Sequence, residues 1–263
     1  MKVLAVGDIH GQFGAINTLI NKKEPDILIQ LGDNAYFWPE TNNVGKIKPS
    51  NCKVYLIPGN HSDWNQIEKE VGRRGRTPIE IEKNIFWCPI GSTLRINKRN
   101  FMFVGGAYSI DKAWRQPNIS WWEQETLNQS DLDFCLSYPG KVDTICSHTA
   151  PWDFRIFERL RIYDKANDPT MFVLNQLLYE FKPEFWFFGH YHANTQGNSF
   201  GCRWWCLNCW PNTKWWMNVQ YAGGNYERND NGNIRAGDES NGSSEGSSRD
   251  QEEVDSSGMA KDI

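Results

Sequence analysis

Histidine is scarce in this chain, at five residues of 263. Long apolar runs are missing altogether. A membrane-spanning helix needs about 20 consecutive apolar residues, and no stretch approaches that length. The opening residues, Met1-Lys2-Val3-Leu4, run straight into a strand-like segment. No signal peptide is therefore expected, and the expectation is a cytoplasmic protein with no membrane partner. Cysteine is odd in number, seven, and scattered along the chain. That pattern does not build a disulfide framework and reads as reduced thiols. Excess charge of either sign is also lacking, since 28 Lys and Arg stand against 32 Asp and Glu. A near balance is not the footprint of a nucleic-acid binder.

The length allows one large α/β domain with an ample core, expected over residues 1–226. After Tyr226 the apolar residues almost vanish and Asn, Gly, Ser, Asp and Glu take over. Residues 227–263 cannot bury enough surface to offset the entropy of ordering, so they read as a disordered acidic tail. No internal repeat is visible, and nothing in the sequence sets an oligomeric state.

The few histidines are not scattered. They stand in Gly7-Asp8-Ile9-His10, Gly59-Asn60-His61, Ser147-His148 and Gly189-His190-Tyr191-His192. Each motif follows a short apolar run: Val3–Val6, Val54–Ile57, Val142–Cys146 and Phe185–Phe188, and Ile27–Leu31 leads in the same way to Gly32-Asp33. Such runs, ended by a turn residue, read as buried strands. Each polar cluster then lies at the C-terminal end of a strand, the edge where α/β folds bind ligands. Gly7, Gly32, Gly59 and Gly189 each immediately precede a candidate ligand, where a missing Cβ lets the backbone turn sharply near an ion. One such histidine reads as an ordinary residue. The full set reads as a multi-histidine metal site and hence an enzyme.

The five blocks, in this order over Asp8 to His192, resemble the calcineurin-like metallophosphoesterase superfamily. The stretch Phe101–Ser109 followed by Asp111-Lys112-Ala113-Trp114-Arg115 looks like phage and bacterial members of unassigned substrate, and is faintly similar to the lariat-debranching branch. The resemblance implies a four-layer α/β/β/α sandwich. It implies one divalent ion held by Asp8, His10 and His192, a second held by Asn60, His148 and His190, and Asp33 bridging the two. His61 would face a phosphate mono- or diester substrate as general acid, its usual pKa lying near working pH. Imidazole, carboxylate and amide oxygen suit Mn, with Fe, Zn, Ni or Co also fitting. Two such ions with Asp8, Asp33 and a bridging hydroxide keep a net charge of about +1, which attracts a phosphate oxyanion.

One position departs from the family pattern. Many members carry an Asp three residues after the bridging one, where it orients the catalytic histidine; here the residue is Tyr36. Asp63 lies nearby but reads as the cap of a helix beginning near Trp64. Asp33 also lacks the Asp-Arg-Gly continuation of protein serine/threonine phosphatases.

Substrate contacts are expected from the loop after Gly105-Gly106, where Arg115 or Lys112 could hold a second phosphate or a diester backbone. Arg155, Arg159 and Arg161 invite the same suggestion, and ordinary solvated charge is the competing reading for all of them. Cys202, Cys206 and Cys209 have a cluster-like spacing, but they sit in a strand pattern and read as structural. The segment 201–207, the turn at Pro211-Asn212-Thr213 and the segment 215–219 read as a Trp-rich hairpin. That hairpin supports the alternative of a nucleic-acid binder, with nucleic acid otherwise entering only as a substrate; a metal-binding scaffold without turnover is the other alternative. Further expected elements are helices at 13–23, at 64–71 and after Asp168-Pro169, and a capping box at Ser120 and Glu123.

Overall fold

Side chains alternate across a strand, so a strand apolar at every position must be covered on both faces. Val3–Val6 and Phe185–Phe188 are strands of this kind, and Ile27–Gln30 and Thr144–Ser147 join them in being buried at every residue. The computed structural model describes residues 1–37, 46–162 and 168–219, all within one unit, Met1–Gln220. The boundary expected at 226 and the tail 227–263 fall outside the described residues.

The elements in chain order are β1 (Val3–Val6), α1 (Phe13–Lys23), β2 (Ile27–Gln30), β3 (Lys53–Leu56), α2 (Trp64–Glu70), β4 (Ile79–Glu82), β5 (Ile85–Trp87), β6 (Ser92–Ile96), β7 (Arg99–Val104), α3 (Gln129–Leu136), β8 (Thr144–Ser147), α4 (Ile156–Leu160), α5 (Pro169–Phe181), β9 (Phe185–Phe188), β10 (Thr195–Ser199), β11 (Cys202–Cys206) and β12 (Trp216–Asn218). They build two six-stranded mixed sheets, ordered β12-β1-β2-β3-β5-β4 and β10-β11-β9-β8-β7-β6. In the first, β1, β2, β3 and β5 run parallel. In the second, β7, β8, β9 and β11 do. Antiparallel strands close both edges of each sheet.

The sheets face each other. Tyr55 of β3 stacks on Phe103 of β7, with ring centroids 6.2 Å apart and planes 8° from parallel. On the opposite face of the first sheet, Leu4, Val6 and Leu28 pack with Phe13, Ile16 and Leu19 of α1. On the outer face of the second, Trp186, Phe188 and Trp204 join Leu174, Leu177 and Leu178 of α5. The fold is thus α/β, two facing sheets flanked by helices, as the sandwich expectation required.

Local chemistry sets the helix limits. Asp168 accepts a hydrogen bond from the Thr170 amide and Pro169 takes the first helical position, which starts α5. Asp63 does the same for α2, accepting from Gln66. α1 ends at Glu24 in a left-handed conformation.

Two expectations are corrected. The capping box is not at Ser120 and Glu123, where Ser120 Oγ instead accepts from the Gln116 amide. It lies at Asn128 and Asp131, at the start of α3. The Trp-rich hairpin does not form either. β11 pairs with β10 and β9 in one sheet, whereas β12 pairs with β1 in the other. The left-handed pair Phe200-Gly201 supplies a tighter turn just before Cys202, and β10 takes the hairpin position. Trp204 is fully buried and stacks on Phe154, and Trp205 stacks on Phe187. Trp204 is therefore closed off as a stacking platform, and Trp205 is half-buried.

Candidate metal centre

Five parallel strands deliver the polar motifs to one place. Asp8 and His10 follow β1, Asp33 follows β2, Asn60 and His61 follow β3, His148 follows β8, and His190 and His192 follow β9. Reaching inward from these ends requires uncommon backbone. His10, Asp33, His190 and His192 all have positive φ, between 43° and 68°. Left-handed conformation at non-glycine residues costs energy and concentrates at functional sites.

The atoms that converge are mostly hydrogen-bond acceptors. His192 Nε2 lies 3.1 Å from Asp8 Oδ2 and 3.1 Å from His10 Nε2. His148 Nε2 lies 3.0 Å from Asn60 Oδ1 and 3.4 Å from Asp33 Oδ1. Its other nitrogen, Nδ1, is 2.8 Å from the Leu31 carbonyl, which can only accept. Nδ1 therefore carries a proton, and it is Nε2 that faces Asn60 and Asp33, where its lone pair would serve a metal once the ring gives up its second proton. The Asn60 amide is fixed too, because its Nδ2 donates to Ser109 Oγ at 3.0 Å. Ligands about 2.1 Å from one ion sit about 3.0 to 3.4 Å from each other at octahedral to tetrahedral angles. The observed spacings fall in that range. The donor set of nitrogen and oxygen, without thiolate, fits a borderline divalent metal.

Charge tells the same story. Asp8, Asp33, Asn60 and His148 are buried, at most 3% exposed. Burial disfavours the His148 imidazolium, yet the Asp33 and Asp8 carboxylates overcome it and push the group up to about 9. Burial likewise opposes the Asp33 carboxylate, but His148, His61 and His10 hold it well below the usual range. The hydrogen bond to Asp8 raises His192. Two buried carboxylates thus draw positive charge from whatever lies nearby.

Backbone amides pin these carboxylates. The His190 amide donates to both Asp8 oxygens at 3.1 Å, and the His61 amide donates to Asp33 Oδ1 at 2.8 Å. The approach is close enough to demand glycine. A Cβ on Gly59 would stand 2.0 Å from Asp33 Oδ1, and one on Gly189 would stand 2.2 Å from Asp8 Oδ1.

His61 sits at the rim, its ring 5.6 Å from that of His10. Arg115 donates to His61 Nε2 at 2.8 Å and pairs with Asp111 at 2.9 Å. Burial lowers the His61 pKa, and the Arg115 guanidinium adds to the effect against the pull of Asp33. The two residues considered for orienting His61 are otherwise engaged: the Tyr36 hydroxyl bonds Glu82 at 2.6 Å, and the Asp63 carboxylate caps α2. Lys112 does not join the cluster but lies over the Tyr108 and Trp121 rings. Beside it opens a cavity of about 850 Å³, lined in part by Arg74, Tyr108, Asn118 and Trp121. Arg155 pairs with Glu158, and Arg159 bonds the Gln196 carbonyl while covering Trp204.

The profile of the calcineurin-like phosphoesterase family matches residues 1–194, most of the chain and all of the clustered motifs. The chain belongs to the calcineurin-like phosphoesterase family. Several solved structures of low identity are similar to it over much of their length. The phosphopantetheinyl hydrolase of Mycobacterium tuberculosis is 15% identical, with a TM-score of 0.46 and coverage of 85% of this chain and 98% of that one. An archaeal phosphodiesterase is 10% identical, with a TM-score of 0.39 and coverage of 83% and 99%. A conserved uncharacterized protein of Streptococcus pneumoniae TIGR4 is 8% identical, with a TM-score of 0.36 and coverage of 79% and 72%. No curated protein sequence matches the chain. Among the described residues, no helix is long and apolar enough to cross a membrane.

Several residues at the centre carried no sequence signal. Gln30 bonds the Gly7 carbonyl and both backbone groups of Gly32, tying together the turns that hold Asp8 and Asp33. Asn34 bonds Gln30 and the Ile57 carbonyl, joining the β2 turn to the β3 turn. Ser109 and the Leu31 carbonyl act on Asn60 and His148 as described. Gln30 and Leu31 lie in a strand run and Ser109 ends a stretch quoted above, but nothing in the sequence marks these hydrogen-bond partners, which only the folded chain brings together.

Proposed function

We propose that this phosphoesterase hydrolyses phosphate mono- or diesters with two divalent metal ions. The reading rests on the convergence of acceptor atoms from Asp8, His10, Asp33, Asn60, His148 and His192 at ligand-like spacing. Asp8, His10 and His192 would hold one ion, Asn60, His148 and His190 the other, and Asp33 would bridge them. Mn is the first expectation, with Fe, Zn, Ni or Co suited to the same donors. Bound there, the ions would polarise phosphoryl oxygens and acidify water. The buried, unpaired thiols suit a reducing compartment, which supports a cytoplasmic setting.

The chain's own residues would do the rest. A guanidinium only donates, so His61 Nε2 presents a lone pair to Arg115 and the ring is neutral in this arrangement. A phosphate oxygen is a stronger partner for Arg115 than a neutral imidazole. An incoming substrate would therefore draw Arg115 away, and Nε2 would then take up a proton from solvent and pass it to the leaving oxygen, returning the ring to its neutral form. Lys112, at the neighbouring cavity, would contact the remainder of a larger substrate.

The test is hydrolysis of p-nitrophenyl phosphate and bis-p-nitrophenyl phosphate by metal-stripped protein, with Mn, Ni, Co, Zn or Mg added back in turn. Metal-dependent turnover is expected, and the preferred compound divides monoesterase from diesterase. His61→Ala should keep its metal and lose about 100-fold or more in kcat; an unchanged kcat would remove His61 from the general-acid role. Asp33→Asn should loosen both metals, and loss of one alone would end its bridging role.

A further inference from the structure

Glu125 is fully buried in the turn Glu123–Glu125, and it belongs to none of the motifs. Its Oε1 accepts from the Ser109 amide at 3.0 Å, which holds the Ser109 backbone against the turn. Ser109 Oγ in turn accepts from Asn60 Nδ2. The bond between Asn60 and Ser109 thus runs in one direction, amide to hydroxyl, and Glu125 holds the Ser109 backbone that carries that hydroxyl. That direction dictates the Asn60 rotamer: Nδ2 faces Ser109, so Oδ1 must face His148 and Asp33.

The other oxygen, Glu125 Oε2, is buried with no hydrogen-bond partner among the described residues. A buried carboxylate with unused acceptor capacity is a stability cost that an apolar side chain would avoid. The backbone is fitted to the arrangement as well. Gly106 has φ +90°, and a Cβ there would stand 2.4 Å from the Glu125 carbonyl, so the loop and the turn are in direct contact. An acid kept in such a place needs a reason other than packing.

We infer that Glu125 is a positioning residue, acting through Ser109 to aim Asn60 Oδ1 at one of the two metal positions and not the other. The inference rests on the metal assignment proposed above. Outer partners of metal ligands typically contribute about 10- to 100-fold to affinity, and the relay reaches Asn60 alone. Glu125→Gln weakens the hold on Ser109, because it trades a carboxylate acceptor for a neutral amide and places an NH2 group where Oε2 has no partner, and Ser109→Ala removes the link while leaving the acid in place.

The experiment is a Mn titration of metal-free protein by calorimetry, with bound metal counted after gel filtration. Wild type should bind two ions. Glu125→Gln and Ser109→Ala should each weaken one ion by about 10- to 100-fold and leave the other unchanged. Asn60→Ala should weaken the same ion, and adding Glu125→Gln to it should weaken it no further, because the two changes cut one chain. Two ions bound at wild-type affinity in both Ser109→Ala and Glu125→Gln would overturn the inference while leaving the dinuclear reading intact. Equal weakening of both ions would overturn it also. A wild type that binds no metal would instead remove the dinuclear reading, and this inference with it. Should Glu125→Gln fail to fold, Ser109→Ala and its double variant with Asn60→Ala carry the same comparison.

Discussion

At the residue scale, ionisable groups in this protein are governed first by burial and then by whichever partner opposes it. Glu125 shows the first effect: burial raises its pKa from the usual 4.5 to about 7, although Ser109 and Arg115 pull the other way. The folded protein therefore holds the Glu125 proton more tightly than the unfolded chain does. The stability this group contributes is full below pH 4.5 and is lost as pH rises toward 7. Chemical denaturation of metal-free protein between those values should show wild type losing stability relative to Glu125→Gln as pH rises. A constant difference would mean that the carboxyl is not buried as described. His148 shows the second effect, where carboxylates outweigh burial. For three of the thiols burial wins, although Arg76 and Arg74 beside Cys135 and Arg203 beside Cys202 pull the other way. Burial pushes Cys52, Cys135 and Cys202 up to about 12, so they are protonated and inert rather than cluster ligands.

At the scale of elements, one buried ion pair links α2 to α3. Arg73, just past α2, meets both oxygens of Asp131 at 2.9 and 2.6 Å, and also bonds the carbonyls of Gln124 and Thr126. Asp131 is fully buried and closes the capping box of α3. Removing the guanidinium strands a buried carboxylate, which costs about 3 to 5 kcal/mol. Arg73→Met should lower thermal stability by about that amount, measured by denaturant unfolding. A loss below about 1 kcal/mol would make the pair dispensable. Because Arg73 also holds the turn that carries Glu125, the same variant should reach the metal centre indirectly.

For the whole molecule, the cost of gathering buried acceptors at one sheet edge is expected to be offset by bound cations. A ligand that binds only the folded state stabilises it by RT ln(1 + [L]/Kd), about 2.7 kcal/mol at one hundred times Kd. Chelation of the purified protein should therefore lower Tm by several degrees, and re-addition of Mn should restore it. A Tm indifferent to chelator and to Mn would argue against tightly held metal.

Apolar runs ended by Gly-Asp, Gly-Asn-His, Ser-His or Gly-His determined the strands, the α/β class and the residues at the strand ends. Strand periodicity and glycine punctuation are local, and a ligand set attached to them is local as well. Cap residues at Asp63 and Asp168 were legible for the same reason. Tertiary structure alone decided how Trp216–Asn218 pairs, because an edge strand is assigned by whichever partner presents free backbone groups, here β1 in the opposite sheet. It also decided which polar residues support the centre. Ser109 bonds Asn60, Arg115 bonds His61 and Glu125 holds Ser109 from positions far along the chain, and Gln30 ties together the turns around Asp8 and Asp33. Their spacing follows no period, and only the packing of loops against the sheet edge brings each to within hydrogen-bond distance.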